Sequence, residues 1–78
     1  MKCIGVSLQR PGRNIGRCLN TYWQNLTFDQ SLSECSYVQL QTLAREQFPN
    51  VHYGIENVRI SPSDSTILMV EYSVDSSD

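Results

Sequence analysis

Residues 14–26, NIGRCLNTYWQNL, carry the most regular pattern in the sequence. Their apolar side chains recur at intervals of four, three, one and three residues, which is the spacing of one stripe on an amphipathic helix. The stripe consists of Ile15, Leu19, Tyr22, Trp23 and Leu26, with Cys18 beside it. Asn14 suits the N-cap position, although Gly16 disfavours a helix by about 1 kcal/mol relative to alanine. We therefore predict a helix over residues 14–26.

A second helical pattern follows, and its start is ambiguous. Capping-box patterns at residues 27–30 and 31–34 offer two alternative starts. From residue 37 to residue 48 the apolar side chains share one helical face, and Pro49 disfavours a helical conformation in the residue before it. The pattern predicts a second helix over about residues 34–48.

Both ends of the chain have the alternation of β-strands. Residues 2–9 place one apolar row, Ile4, Val6 and Leu8, on a single face. Residues 51–60 change phase near Glu56 and Asn57, which predicts a bulge or a tight turn there. Residues 66–74 form a further strand pattern, and its first half is apolar on both faces, as expected for a central, covered strand.

The predicted order is strand, helix, helix and hairpin. We expect a small α+β domain in which two helices pack on one face of a three-stranded, mostly antiparallel sheet. The domain is predicted to span residues 1–74, with a frayed acidic tail at residues 75–78.

The composition limits the function classes. The chain has 78 residues, six cationic and eight acidic side chains, and a formal net charge of −2. This balance predicts no general affinity for nucleic acid or membranes. No apolar run approaches the roughly 20 residues of a membrane span, and the first residues do not resemble a signal peptide. With an odd number of widely spaced cysteines, we expect a cytoplasmic protein with reduced thiols.

The sequence contains no catalytic or metal-binding motif that we can identify. Cys3, Cys18, Cys35 and His52 are too widely separated for the paired ligands of a structural zinc site. The stripe would bury Cys18, and the spacing pairs no cysteine with His52. We expect neither enzymatic activity nor a cofactor; a small enzyme that uses a cysteine is the weakest alternative.

Three arginines at the start of the first predicted helix are the main candidate binding residues. Arg10, Arg13 and Arg17 would lie at the electrostatically positive end of that helix, where unpaired cations are unfavourable. Such a cluster is suited to a phosphate or a carboxylate-rich surface. The alternative is a solvated edge whose charges are paired with nearby acids. Trp23, Asn20 and Gln24 lie beside the cluster, and tryptophan and arginine are common interface anchors.

We expect a non-enzymatic protein-binding module that acts as a small inhibitor or adaptor on a larger protein or nucleoprotein complex. Its size would suit a phage- or plasmid-encoded protein directed against a host nuclease or defence complex. An acidic edge of Glu71, Asp75 and Asp78 would imitate nucleic-acid charge. The alternative is a nucleic-acid-binding module that uses Arg10, Arg13 and Arg17. An open edge strand would also permit a homodimer.

Overall fold

The structure is a computed structural model that describes residues 1–48 and 54–75. Within these residues the chain forms five strands and one helix. In chain order they are β1 (Cys3–Val6), β2 (Arg10–Gly16), β3 (Leu19–Phe28), α1 (Tyr37–Gln47), β4 (Ile55–Ile60) and β5 (Ile67–Asp75).

The strands form one antiparallel sheet with β3 and β5 at its centre. The order across the sheet is β1, β3, β5, β4, and β2 also pairs with β3. β1 pairs with the end of β3 near Phe28, whereas β2 pairs with the end near Leu19. Since β5 occupies the other side of β3 from Leu19 to Thr27, β1 and β2 lie end to end along one edge of the sheet.

The hydrophobic core lies between α1 and one face of this sheet, which we call the helix face. α1 packs on β4 and β5, and Leu40 and Ala44 on its inner side are buried. The sheet contributes Leu26, Phe28, Val58, Leu68, Val70 and Tyr72, and Leu32 closes the core before α1. Full burial of each large aliphatic side chain contributes about 2 kcal/mol, so this layer supplies most of the stabilisation. The opposite side of the sheet is called the open face.

The helix predicted over residues 14–26 is wrong, because this stretch forms the turn and the longer strand of a β-hairpin. Gly16 pairs with Leu19, and Arg17 and Cys18 form the turn between them. The strand divides the residues of the predicted stripe between its two faces, with Tyr22 and Leu26 on the helix face and Trp23 on the open face. Pairing with β5 overrides the helical pattern, and no short sequence window contains that partner.

The two-helix architecture on a three-stranded sheet is therefore replaced by one helix on a five-stranded sheet. The surviving helix lies inside the predicted 34–48 range but begins later, at Tyr37. Ser36 is its N-cap, and Gln39 completes a capping box with it. Neither capping-box pattern named from the sequence is the one that starts the helix.

The strands predicted near the two ends of the chain are present, but the burial of the first strand differs from the prediction. The register between β4 and β5 shifts between Ile55 and Asn57, which confirms the predicted bulge. β5 lies between β3 and β4, as predicted for a covered strand. The apolar row of the first strand is exposed rather than buried. Asp75 is the last residue of β5, and the rest of the predicted tail, like Pro49 and residues 50–53, lies outside the described residues.

Candidate binding surface

A row of side chains crosses the open face from one edge of the sheet to the other. Arg10 of β2 pairs with Trp23 of β3, and Met69 of β5 pairs with Arg59 of β4. Asn25, two residues beyond Trp23, faces Met69 and joins the two halves. At a strand spacing of about 4.8 Å, the row spans roughly 14 Å. It therefore has arginines at both ends and a tryptophan and a methionine between them.

The part of this row nearest β2 is a shallow depression. Arg10, Pro11, Trp23 and Met69 line a space of about 280 Å³. The Arg10 guanidinium is held over it, because Nη2 donates to the Asn25 Oδ1 at 2.7 Å. The indole is half-buried, so its surface is accessible at a fixed position on a central strand. A side chain that is already held in place loses little conformational entropy when a partner binds.

Beside the row, Glu71 of β5 is a buried carboxylate on the open face, with 1% of its side chain exposed. The Arg13 Nε donates to Oε2 at 3.0 Å, and Nη2 approaches Oε1 at 3.4 Å. Asn57 of β4 donates its amide to Oε1 at 2.8 Å, and Thr21 supplies a further hydrogen bond. Charge and hydrogen bonds thus satisfy the carboxylate from three neighbouring strands.

These partners decide the charge state of Glu71. Burial by itself raises the pKa of the carboxyl group, because it penalises the charged form. The hydrogen bonds from Arg13, Asn57 and Thr21, with the positive charge of Arg13, outweigh burial and lower the pKa to about 2. The hydrogen bond to Glu71 and the negative charge of Glu71 raise the pKa of Arg13. Glu71 is therefore ionised at neutral pH and cannot act as a proton donor there.

The close approach of β2 makes this arrangement possible. Gly12 lies directly over Thr21, and a Cβ at Gly12 would be 2.8 Å from the Thr21 carbonyl oxygen. The next residue, Arg13, donates its backbone N–H to the Thr21 Oγ1 at 2.8 Å. The absence of a side chain at Gly12 thus lets the strand come close enough for Arg13 to reach Glu71.

The structure brings together three of the residues predicted from the sequence. Arg10, Arg13 and Trp23 are all on the open face, with Arg10 and Trp23 paired. Arg17 is exposed in the turn between β2 and β3, away from the row. The three arginines therefore do not form the cluster at a helix start that the sequence suggested.

The other two predicted residues point to the helix face. The Asn20 Oδ1 accepts a hydrogen bond from the Asn14 side chain at 3.2 Å. Gln24 is held between the Ser7 carbonyl oxygen, at 2.7 Å, and the Tyr72 hydroxyl, at 2.9 Å. These contacts give both side chains structural partners on the face opposite the row.

Sequence reasoning did not find Arg59, Met69 or the role of Glu71. Arg59 and Met69 become neighbours only through the β4–β5 register. A signal for Glu71 was present, because a carboxylate within the apolar strand ILMVEYSV needs a partner if it is buried. Its burial excludes Glu71 from the acidic edge that the sequence suggested.

The cysteines give no sign of a catalytic or metal site in the described residues. Cys18 is exposed in the hairpin turn rather than buried on a helix stripe, so that prediction is wrong. Cys3 and Cys35 are half-buried against the core. No cluster of acidic, cysteine or histidine side chains there is suited to a metal ion, and His52 lies outside this part of the chain.

Two further findings bear on function. Over residues 1–48 and 54–75, α1 is too short and too polar to cross a bilayer, and no other helix is present. No protein family, curated protein or solved structure matches this chain.

Proposed function

We propose that this chain is a non-enzymatic protein-binding module whose open face binds an acidic surface of a larger protein or nucleoprotein complex. The row of Arg10, Trp23, Met69 and Arg59 is the observation that supports this proposal. Tryptophan, methionine and arginine are the residue types enriched at protein interfaces, and tryptophan and arginine dominate binding energies.

The charges on this face favour an acidic partner. Arg10 and Arg59 are exposed at the two ends of the row, three strand spacings apart. Glu71 is buried and paired with Arg13, so it does not offset them at the surface. Glu56 is exposed on β4. Besides the hydrogen bond to Glu71 and the charge of Glu71, the charge of Glu56 raises the pKa of Arg13, so it offsets part of the positive charge. A partner with carboxylates on both sides of an apolar depression for Trp23 would match this pattern.

The biological role that we propose is an inhibitor or adaptor in the cytoplasm, such as a phage- or plasmid-encoded protein that blocks a host nuclease or defence complex. The absence of disulfides among the three cysteines supports the cytoplasmic setting. On this proposal the module works by occupying a surface of its partner and performs no chemistry.

A second candidate is binding of single-stranded nucleic acid on the same face. The adjacency of Arg10 and Trp23 on the open face favours it, because proteins that bind single-stranded nucleic acid stack its bases on aromatic side chains beside arginines. The net charge of −2 and the neutralisation of Arg13 by Glu71 argue against it, because nucleic-acid affinity depends mainly on many phosphate contacts.

Affinity capture from host extract tests the first proposal. The experiment compares the native chain with two variants of the row and with one matched control variant. Arg59→Glu and Arg10→Glu reverse exposed charges on the open face. Arg45→Glu makes the same change in the last turn of α1, outside the row. We expect one protein to be retained by the native chain and Arg45→Glu and lost from the other two variants.

The retained protein, once purified, would then be titrated against the native chain. Trp23 is the only tryptophan in the sequence, so its fluorescence reports directly on the proposed surface. We expect a change in emission and at least tenfold weaker binding by Arg59→Glu. Equal binding by all variants would refute the proposal. Strongly salt-dependent binding of a dT oligonucleotide that alters Trp23 emission would favour the second candidate instead.

A further inference from the structure

Three strands form the edges of the sheet, and they differ in the features that prevent pairing with a strand of another chain. β4 carries the exposed charges of Glu56 and Arg59, and β2 contains two arginines and Pro11. Charges and proline on an edge prevent pairing with another chain. β1 and the residues after it, Cys3–Gln9, contain neither a charged side chain nor a proline. The register of β1 shifts between Cys3 and Gly5, so irregular pairing is the protection that this edge has in place of charge or proline.

The apolar side chains of this segment are exposed to solvent. Ile4 is 61% exposed, Val6 54% and Leu8 89%. Met1 and Val38, which line one groove between the N-terminus and α1, are also exposed. More than half of each of these five side chains is exposed.

The backbone at this edge is oriented for pairing. The Ser7 N–H donates to the Asn25 carbonyl oxygen of β3 at 2.9 Å. Backbone groups alternate in direction along a strand, so those of the preceding residue, Val6, point away from β3. Among the described residues no strand pairs with this outer side. Val6 thus offers both a donor and an acceptor to an incoming strand.

The segment is complementary to itself in one antiparallel register. If Gly5 lies on the two-fold axis, Ile4 of each copy faces Val6 of the other, and the two exposed apolar side chains cover each other. Lys2 then faces Leu8 rather than another cation. A register centred on Val6 would instead place Lys2 opposite Arg10, a like-charge contact that is unfavourable.

We propose that the chain forms a homodimer by antiparallel pairing of β1 with β1 of a second copy, centred on Gly5. Such an isologous contact joins two sheets into one continuous sheet. It uses the edge of the sheet and leaves the open face uncovered. The dimer is therefore independent of the binding function proposed above, and either can fail without the other.

Sedimentation velocity over a range of micromolar concentrations tests the dimer. We expect the mass to rise with concentration from the 8.9 kDa of one chain toward twice that value. Val6→Lys places a charge on the exposed edge and should weaken association at least tenfold while the chain stays folded. Gln47→Lys adds the same charge at the end of α1 and should leave association unchanged.

Cross-linking tests the register. In a chain with alanine at Cys3, Cys18 and Cys35, Gly5→Cys would place two thiols on the axis, at a Cα separation of about 4.5 Å, which a disulfide accepts. Leu8→Cys would face Lys2 and should not cross-link. A monomer at every concentration, a dimer insensitive to Val6→Lys, or cross-linking through Leu8→Cys would each overturn the proposal.

Discussion

The Arg13 side chain crosses the open face to Glu71, and its Nε lies 3.0 Å from Oε2 of the carboxylate. The two partners differ sharply in environment, since 61% of the Arg13 side chain is exposed and 1% of the Glu71 side chain. Arg13 would be fully hydrated without its partner, whereas Glu71 would be a buried charge with only neutral hydrogen-bond donors. The ion pair therefore matters mainly because it stabilises Glu71, and it fastens β2 to the sheet.

Stability should fall in acid because Glu71 must be protonated. Its pKa is about 2 in the folded chain, against an ordinary value of 4.5. The stabilisation is complete above about pH 5 and is lost as the pH falls toward 2, by up to about 3 kcal/mol. Urea unfolding at a series of pH values measures this loss.

The matched reference for this prediction is Glu71→Gln, which has no carboxyl group to titrate. Its stability should change less over the same pH range. The remaining dependence should include Asp64, whose pKa is lowered by hydrogen bonds from Thr66 in the β4–β5 connection. An identical pH dependence in the native chain and the variant would contradict the assignment to Glu71.

Removing Arg13 and removing Glu71 should destabilise the chain by different amounts. Glu71→Gln keeps a neutral polar group beside Asn57 and Thr21 and should cost about 1–3 kcal/mol. Arg13→Gln leaves an uncompensated buried carboxylate, so it should destabilise the chain more. The double variant should be more stable than Arg13→Gln alone. Denaturant unfolding of the four proteins gives the coupling energy.

Arg17→Gln is the control for this cycle, because it removes the same charge at the exposed hairpin turn. It should change stability by less than about 0.5 kcal/mol. Additive effects of the Arg13 and Glu71 substitutions would show that the two side chains do not interact in solution.

Gly12→Ala should destabilise the fold by about 1–3 kcal/mol, because the new methyl group collides with Thr21. β2 would have to move away from β3, which also separates Arg13 from Glu71. Gly5→Ala is a matched control in β1, since its Cβ would lie 3.8 Å from the Thr27 Cβ, an ordinary contact. Thermal unfolding should separate the two variants, and equal stabilities would contradict the close approach at Gly12.

The three thiols should react at different rates. Cys18 is exposed in the turn, whereas Cys3 and Cys35 are half-buried beside the core. Iodoacetamide should therefore modify Cys18 several times faster than the other two in the folded chain. Peptide mapping by mass spectrometry measures the order, and urea should abolish the difference. Faster modification of Cys3 or Cys35 would be inconsistent with this fold.

Local patterns predicted the C-terminal half of the chain better than the N-terminal half. The bulge near Ile55 and the covered strand β5 both follow from alternation within a few residues, which is how strands present their faces. The helix near residues 37–47 was found as well, but its start was not. A Ser-x-x-Gln pattern at Ser36 was present in the sequence, and local information did not rank it above its neighbours.

The helix prediction for residues 14–26 was wrong for a different reason. Their apolar spacing fits a helical stripe better than a strand, because the strand places Tyr22 and Leu26 on one face and Trp23 on the other. Periodicity by itself therefore favours the wrong element, and tertiary pairing overrides it. The choice depends on β5, where Tyr22 meets Tyr72. The candidate surface shares this origin, since Trp23 and Arg59 belong to one row only after β5 is placed between their strands. The sequence identified Arg10 and Trp23 as candidate binding residues, but it did not show which side chains of other strands lie next to them.

The central pair of strands, β3 and β5, also has a consequence for how the chain folds. Leu26 and Leu68 face each other at the centre of the core although most of the chain separates them in sequence. The hairpins β2–β3 and β4–β5 contain only local contacts, so they can form early, but neither buries an apolar layer alone. Closure of the long loop through α1 must come before the core exists. We therefore expect slow folding for a chain of this length, with the joining of the two hairpins as its limiting step.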